Sequence, residues 1–184
     1  MKTEAINRKV AEPYAEALMA LAEEQGVLEA IAANAETIAS TIASSADLAQ
    51  LLASPVMPAK FKKQVLQRVF PELHPLTQNF LSLLVDRGRI PFVLDMCSHL
   101  RRLLRQQRNI ALAEVTSAVP LNDSQKEQLR QKVLALTSAS GVELELTVDP
   151  SLIGGVAIKI GSQIVDASIR GQLRRLASRL LASV

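Results

Sequence analysis

The residues able to do covalent chemistry are few. His74 and His99 are the only histidines and Cys97 is the only cysteine. A thiol and an imidazole two positions apart would suit a nucleophile and its base only if both side chains met. On a helix, residues two apart point about 200° from each other, so this pair cannot form such a dyad. A buried thiol and a helix-surface histidine are the expected roles. No HExxH segment and no paired metal-ligand spacing is present. Gly154, Gly155 and Gly161 raise the question of a phosphate loop. They lie between expected strands, without the Lys-Ser/Thr ending that grips a nucleotide, so turns and close backbone packing are expected instead. Asp149 and Asp166 stand at strand ends, where a turn or a cap wants an aspartate. The reading is therefore no catalytic residue, no metal site and no cofactor.

Binding chemistry is the alternative. The net charge of +3 is spread unevenly: residues 1–50 hold three basic against eight acidic side chains, and residues 51–110 hold ten against three. The remaining residues hold eight against seven. An acidic opening and a basic middle can pack on each other or offer a patch to nucleic acid. The basic groups on offer are Arg101, Arg105 and Arg108, and then Arg170, Arg174, Arg175 and Arg179. A nucleic-acid reader would add stacking aromatics, but aromatics are 3% of the chain and its four Phe fall in apolar stripes. A solvated or protein-facing surface is the expectation, with no nucleic acid bound.

The elements that carry these residues change character along the chain. Hydrophobic residues are 48% of the sequence, ample for a core built from Leu, Ala, Val and Ile. Val10, Tyr14, Leu18 and Leu21 recur at helical spacing, with Pro13 marking either a first turn or a kink. Gly26 ends this helix, and Val27, Leu28, Ile31, Ile38 and Ile42 supply a second. Asp47 is the expected cap of a short third helix through Leu51 and Leu52. A fourth runs from Ala59 to Phe70. A fifth follows Pro75 with Phe80, Leu81, Leu83, Leu84 and Val85. A sixth follows Pro91, with Phe92, Met96, Leu100, Leu103 and Leu104 inward. These six form a bundle.

From Ile110 the pattern is mixed. Ile110 to Val119 reads as extended. Asn122 and Gln125 form a capping box opening a helix with Leu129, Val133 and Leu136 inward, closed by Gly141. Val142 to Asp149 alternates as a strand. Val156, Ile158 and Ile160 form another, turned back by Gly161-Ser162 into Gln163-Ile164-Val165. Ser168 caps a last helix with Ile169, Leu173, Leu176 and Leu180 on one side. The fold class is mainly α: a six-helix bundle over residues 1–109, then a small α+β domain over residues 110–184 with a short sheet and two helices. No apolar run of 18 residues exists, and Met1 to Asn7 lacks the apolar core of a secretory signal, so no direct membrane insertion is expected.

The first and fifth helices hold more apolar and small residues than one buried face requires. Either they leave a shallow groove for a partner's amphipathic helix, or both are central in the bundle.

Several segments together resemble one family. Pro13-Tyr14-Ala15-Glu16-Ala17-Leu18 is similar to the opening motif of the F-type ATP synthase delta subunits, the family of the mitochondrial oligomycin-sensitivity-conferring protein. Phe80 to Ile90, with Asp86-Arg87-Gly88-Arg89 inside it, resembles the family's mid-chain motif, although Val85 stands where acidic or polar residues are common. Val115-Thr116-Ser117-Ala118-Val119-Pro120-Leu121 resembles its domain junction. The C-terminal signature runs Val148-Asp149-Pro150-Ser151-Leu152-Ile153-Gly154-Gly155, then Ile158-Lys159-Ile160-Gly161. It continues as Val165-Asp166-Ala167-Ser168-Ile169-Arg170 and Leu173-Arg174-Arg175-Leu176. The resemblance spans nearly the whole chain.

It implies a non-catalytic stator subunit of the peripheral stalk, coupling proton flow to ATP synthesis. The N-terminal domain would bind the N-terminal segment of an alpha subunit between the first and fifth helices, at Tyr14, Ala15, Leu18, Phe80 and Leu83. The C-terminal domain would meet b-type stalk subunits, with Arg170, Arg174 and Arg175 as candidate contacts. The implied location is peripheral, on the cytoplasmic or stromal face of a bacterial plasma membrane or a thylakoid.

Overall fold

The computed structural model describes residues 2–182, and the side chains of residues 9–178. Leu180 and Arg179 therefore lie outside the described side chains. The described chain divides into two compact units, residues 1–104 and 105–184. The division falls in the last turn of a helix, before the switch to extended structure at Ile110.

The first unit is built from α1 (Lys2–Glu24), α2 (Leu28–Ser44), α3 (Ala46–Ala53), α4 (Ala59–Val69), α5 (Pro75–Asp86) and α6 (Val93–Gln107). A 3-10 turn, Ile90–Phe92, precedes α6. Pro13 lies inside α1, far from its first turn. Gly26, with φ +66°, ends that helix in the left-handed conformation that a Cβ would disfavour. All six helices contribute to one apolar core, which includes Ala15, Ile31, Leu48, Leu66, Leu84 and Leu100. Small alanines on α1 (Ala11, Ala15, Ala22) let its backbone approach its neighbours closely, as a core poor in aromatics requires.

Capping corrects one expectation. Asp47 is not the cap of α3; Ser45 takes that place with extended backbone, and its hydroxyl accepts from the Leu48 N–H at 3.3 Å. Asp47 sits in the first turn instead, where a carboxylate faces the positive end of the helix dipole. His74 caps α5, its Nδ1 accepting from the Leu76 N–H at 3.2 Å. Between α3 and α4, the buried Lys62 ammonium donates to the Leu52 carbonyl at 2.6 Å, closing a C-terminal carbonyl that α3 leaves open.

The second unit holds β1 (Ile110–Ser117), α7 (Asp123–Leu136), β2 (Gly141–Val148), β3 (Val156–Ile160), β4 (Gln163–Asp166) and α8 (Ile169–Ala182). Its sheet has the order β2-β1-β3-β4. β1 and β2 are parallel, which demands a crossover, and α7 supplies it. β3 runs antiparallel to both β1 and β4. The register aligns Leu146, Val115, Ile158 and Val165 across one face. α7 covers the middle of that face with Leu129 and Val133. The other face is polar, with Lys159 donating to Glu114 at 2.8 Å.

The Asn122–Gln125 capping box forms as read: Asn122 Oδ1 accepts from the Gln125 N–H at 2.8 Å, and Gln125 Oε1 accepts from the Asn122 N–H at 2.9 Å. Two details of α7 differ from expectation. Leu136 is exposed rather than inward, because the last turn runs past the edge of the sheet. Gly141 does not close the helix; Thr137 does, and Gly141 opens β2.

Candidate functional site

Cys97 and His99 fall on opposite margins of the buried arc of α6, so no dyad forms. Burial pushes the Cys97 thiol up to about 11, against a smaller opposing pull from Arg101, which leaves it protonated and unreactive at neutral pH. His99 is not a surface histidine. It is buried, with Arg102 Nη2 3.1 Å from its Nδ1 and Glu12 Oε1 3.8 Å away on α1. The arc buried on α6 is wider than the stripe read from its leucines, because α1 brings Glu12 over one margin. Arg102 approaches the same Glu12 oxygen at 3.6 Å, so the cluster ties α6 to α1. No group of His, Cys, Asp and Glu able to hold a metal ion occurs among the described residues.

The glycine segment is structural in the same sense. Gly155 has φ +78°, and a Cβ there would run into the Ala167 carbonyl oxygen. The two aspartates flanking it organise turns. Asp149 accepts from the Ser151 N–H at 2.9 Å and its hydroxyl at 2.8 Å. Asp166 accepts from the Ser168 hydroxyl and N–H at 2.6 and 2.9 Å, and the Ser168 oxygen caps α8 by accepting from the Gly171 N–H at 3.0 Å. The Ser151 hydroxyl and N–H hold the Asp149 carboxyl below the usual range, and those of Ser168 do the same for Asp166, with Arg175 and Arg174 assisting.

What remains are surfaces. On α1, Tyr14, Leu18 and Leu21 share one face; on α5, Leu76, Phe80 and Leu83 share one face at i, i+4 and i+7. α1 and α5 both pack against α2 and the 3-10 turn. Leu18 and Phe80 meet over the same small void, about 10 Å³, in the core beneath. The five residues singled out by the family resemblance therefore differ in access. Ala15 and Leu18 are core residues, 1% and 6% exposed; Tyr14 and Phe80 are half-buried; Leu83 is 44% exposed. Leu21 and Leu76 extend the same two faces; Leu21 belongs to the stripe read on the first helix, whereas Leu76 was missed, although it stands four residues before Phe80.

The second unit exposes more. Ile169, Leu173 and Leu176 form a row along α8, and all three are exposed, the two leucines at 54%. Every described side chain of α8 except Gly171 faces solvent. Ile153 is also exposed and sits at φ +67°, a left-handed backbone that a β-branched residue adopts at a cost. The arginines flanking the row are engaged within the unit. Arg170 Nη1 donates to the Ser151 hydroxyl at 2.9 Å, Arg175 Nη2 donates to the Asp166 carbonyl at 3.3 Å, and Arg174 Nη2 lies 4.0 Å from the Asp166 carboxylate. No helix among the described residues is long and apolar enough to cross a membrane.

Comparison with known proteins shows the family. A family profile described as ATP synthase delta (OSCP) subunit matches residues 10–180. The ATP synthase subunit delta of Synechococcus sp. (strain JA-2-3B'a(2-13)) is 51% identical over 173 residues, covering 94% of this chain and 95% of the relative. That of Thermosynechococcus vestitus is 48% identical over 176 residues, covering 95% of each. That of Synechocystis sp. (strain PCC 6803) is 45% identical over 181 residues, covering 98% of each. A chain in the cryo-EM structure of the Toxoplasma gondii mitochondrial ATP synthase hexamer shares the fold, with a TM-score of 0.75 over 93% of this chain and 97% of that one, at 22% identity. A chain with no catalytic constellation among its described residues, apolar helix faces turned outward and this whole-length match belongs to the ATP synthase delta (OSCP) subunit family, the non-catalytic stator component of the peripheral stalk of F-type ATP synthase.

Proposed function

We propose that this chain joins the catalytic head of the ATP synthase to its b-type stalk subunits, one partner to each unit. The first unit receives the N-terminal segment of an alpha subunit between α1 and α5. Tyr14, Phe80 and Leu83 are the contacts a helix would meet first, with Leu21 and Leu76 beside them, over a floor formed by Ala15 and Leu18. The observation that carries this reading is that Leu83, Phe80 and Tyr14 keep apolar surface open above the closed core positions Ala15 and Leu18. Apolar surface left at a rim above a packed floor is what an amphipathic helix buries.

The second unit receives the C-terminal ends of the b-type subunits along α8. The row Ile169, Leu173 and Leu176 supplies the apolar contact, and Arg170, Arg174 and Arg175 border it with positive charge. Attachment through two separate contacts gives tight overall binding by effective concentration, even when each is modest. The chain then sits peripherally on the cytoplasmic or stromal side of the coupling membrane, held there by its partners.

Isothermal titration of the full chain with a peptide of the alpha N-terminus tests the first contact. Binding in the micromolar range is expected, and Leu83→Asp should weaken it at least tenfold with the helicity unchanged. Absence of binding at high micromolar peptide, or equal affinity in Leu83→Asp, would remove α5 from the contact.

A further inference from the structure

Helix α4 carries an exposed apolar row that lies on neither of these surfaces. Phe61, Val65 and Val69 follow one another at intervals of four, which places them side by side along the helix, and Met57 lies in the bend before its extended N-cap, Pro58. Met57, Phe61 and Val69 are each about two-fifths exposed, and Val65 is half-buried. One exposed phenylalanine needs no explanation, whereas a continuous row of this kind does. Beside it, on the solvent side, runs a second row at the same interval: Lys60, Gln64 and Arg68, all exposed.

The charges on α4 all have one sign, since the helix contains no acidic residue. They are not equivalent. Lys62 is turned inward onto the Leu52 carbonyl, and Lys63 pairs with Asp86 of α5 at 2.7 Å. Lys60 and Arg68 are in no ion pair among the described residues. The apolar row ends at a hollow of about 330 Å³ lined by Asn34 and Thr37 of α2 and by residues 69–73, with the exposed Glu72 among them.

We infer that α4 is a second docking surface, for an amphipathic helix of another subunit whose apolar row is bordered by Asp or Glu. Such a helix would lay its apolar side chains on Phe61, Val65 and Val69 and its carboxylates on Lys60 and Arg68. From Phe61 to Val69 the row is about 12 Å long, the length of roughly two helical turns. A basic-bordered helix would meet Lys60 and Arg68 along the row, so the surface selects by sign as well as by shape there, with the acidic Glu72 at its far end. The surface lies on a different helix from the α1–α5 groove, so both can be occupied together.

The test uses the full chain carrying a photo-crosslinking residue at position 61 or, separately, at position 83. The probes are two synthetic 18-residue helices with the same leucine row, one bordered by Glu and one by Lys, and vesicles of phosphatidylglycerol. The Glu-bordered helix is expected to label position 61, at least tenfold more than the Lys-bordered one at low salt, and less at high salt. The double variant Lys60→Glu, Arg68→Glu should reverse that preference, and Phe61→Asp should abolish labelling by both. All three positions are exposed, so these variants keep the fold, as circular dichroism can verify. Equal labelling by both helices would overturn the inference. So would labelling confined to position 83, or binding to vesicles with neither helix captured, which would make α4 a lipid-facing surface. In the assembled complex, the residue at position 61 should crosslink to another ATP synthase subunit through an acidic helical segment; no product there would also overturn it.

Discussion

The two units spend their apolar residues differently. In the first, 22 described apolar residues, from all six helices, the 3-10 turn and the loop after α4, are buried in one core, and the exposed apolar surface lies at its margins. In the second, five described residues are buried in the core, and a whole helix leaves its apolar row uncovered. The smaller core has less buried apolar surface with which to offset chain entropy than the larger one. The first unit is thus a largely closed body with apolar side chains at its margins. The second leaves α8 uncovered, on the side where the proposed stalk contact would lie.

The largest expected effect contrasts one leucine from each. Leu18→Asp buries a carboxylate in the closed core and should cost about 4 kcal/mol or more, enough to melt the first unit. Leu176→Asp changes a side chain already in water and should alter stability by no more than about 0.5 kcal/mol. Urea unfolding followed by circular dichroism measures both. If Leu176→Asp proved as damaging as Leu18→Asp, α8 would be packed in solution and the contrast would fail.

Partner linkage gives the next effect. At a hundredfold excess over Kd, a peptide from the b-type C-terminus should stabilise the second unit by about 2.7 kcal/mol. Hydrogen exchange would report this as slowed amides along α8, with the amides of α2 unchanged. Protection of α2 instead would assign the stalk contact to the first unit.

Much of this architecture was legible because its causes are local. The Asn122–Gln125 box needs only residues three apart, and the alternation of Val142 to Val148 needs only a strand's period of two. The errors came where a distant element decides. The cap of α3 is the local exception: Ser45, shared as the C-cap of α2, takes the place expected of Asp47. His99 is buried because α1 covers it. Periodicity identified the rows on α1, α5 and α8, yet it could not say which would be covered: Leu18 is packed away while Leu83 and Leu173 are not. The α4 row was also present in the sequence at intervals of four, but the sequence period alone does not say that it is exposed.

Ile153 offers a smaller and more pointed measurement. An exposed β-branched residue at φ +67° is unfavourable for folding, so Ile153→Gly should raise the stability of the second unit by roughly 1 kcal/mol. If this side chain is held outward for the stalk, the same variant should bind b-type peptide more weakly. Stability raised with affinity unchanged would make Ile153 an unforced irregularity of the turn.

Acid should act on the second unit through its turns. Asp149 and Asp166 have carboxyls held below the usual range by serine hydrogen bonds, so the native state binds their protons less readily than the unfolded chain does. Their contribution is therefore fully present above the unfolded value of about 4 and is lost as pH falls through the lower native values. Circular dichroism against pH should show a decline below about pH 4 that Asp166→Asn flattens, because the amide oxygen still accepts from Ser168 and no longer titrates. Asp166→Ala should lower stability at neutral pH as well, since Ser168 loses the group that aims its hydroxyl oxygen at the Gly171 amide. Equal behaviour of the asparagine and alanine variants would mean that charge, through Arg174 and Arg175, outweighs the hydrogen bonds in holding α8 to its turn.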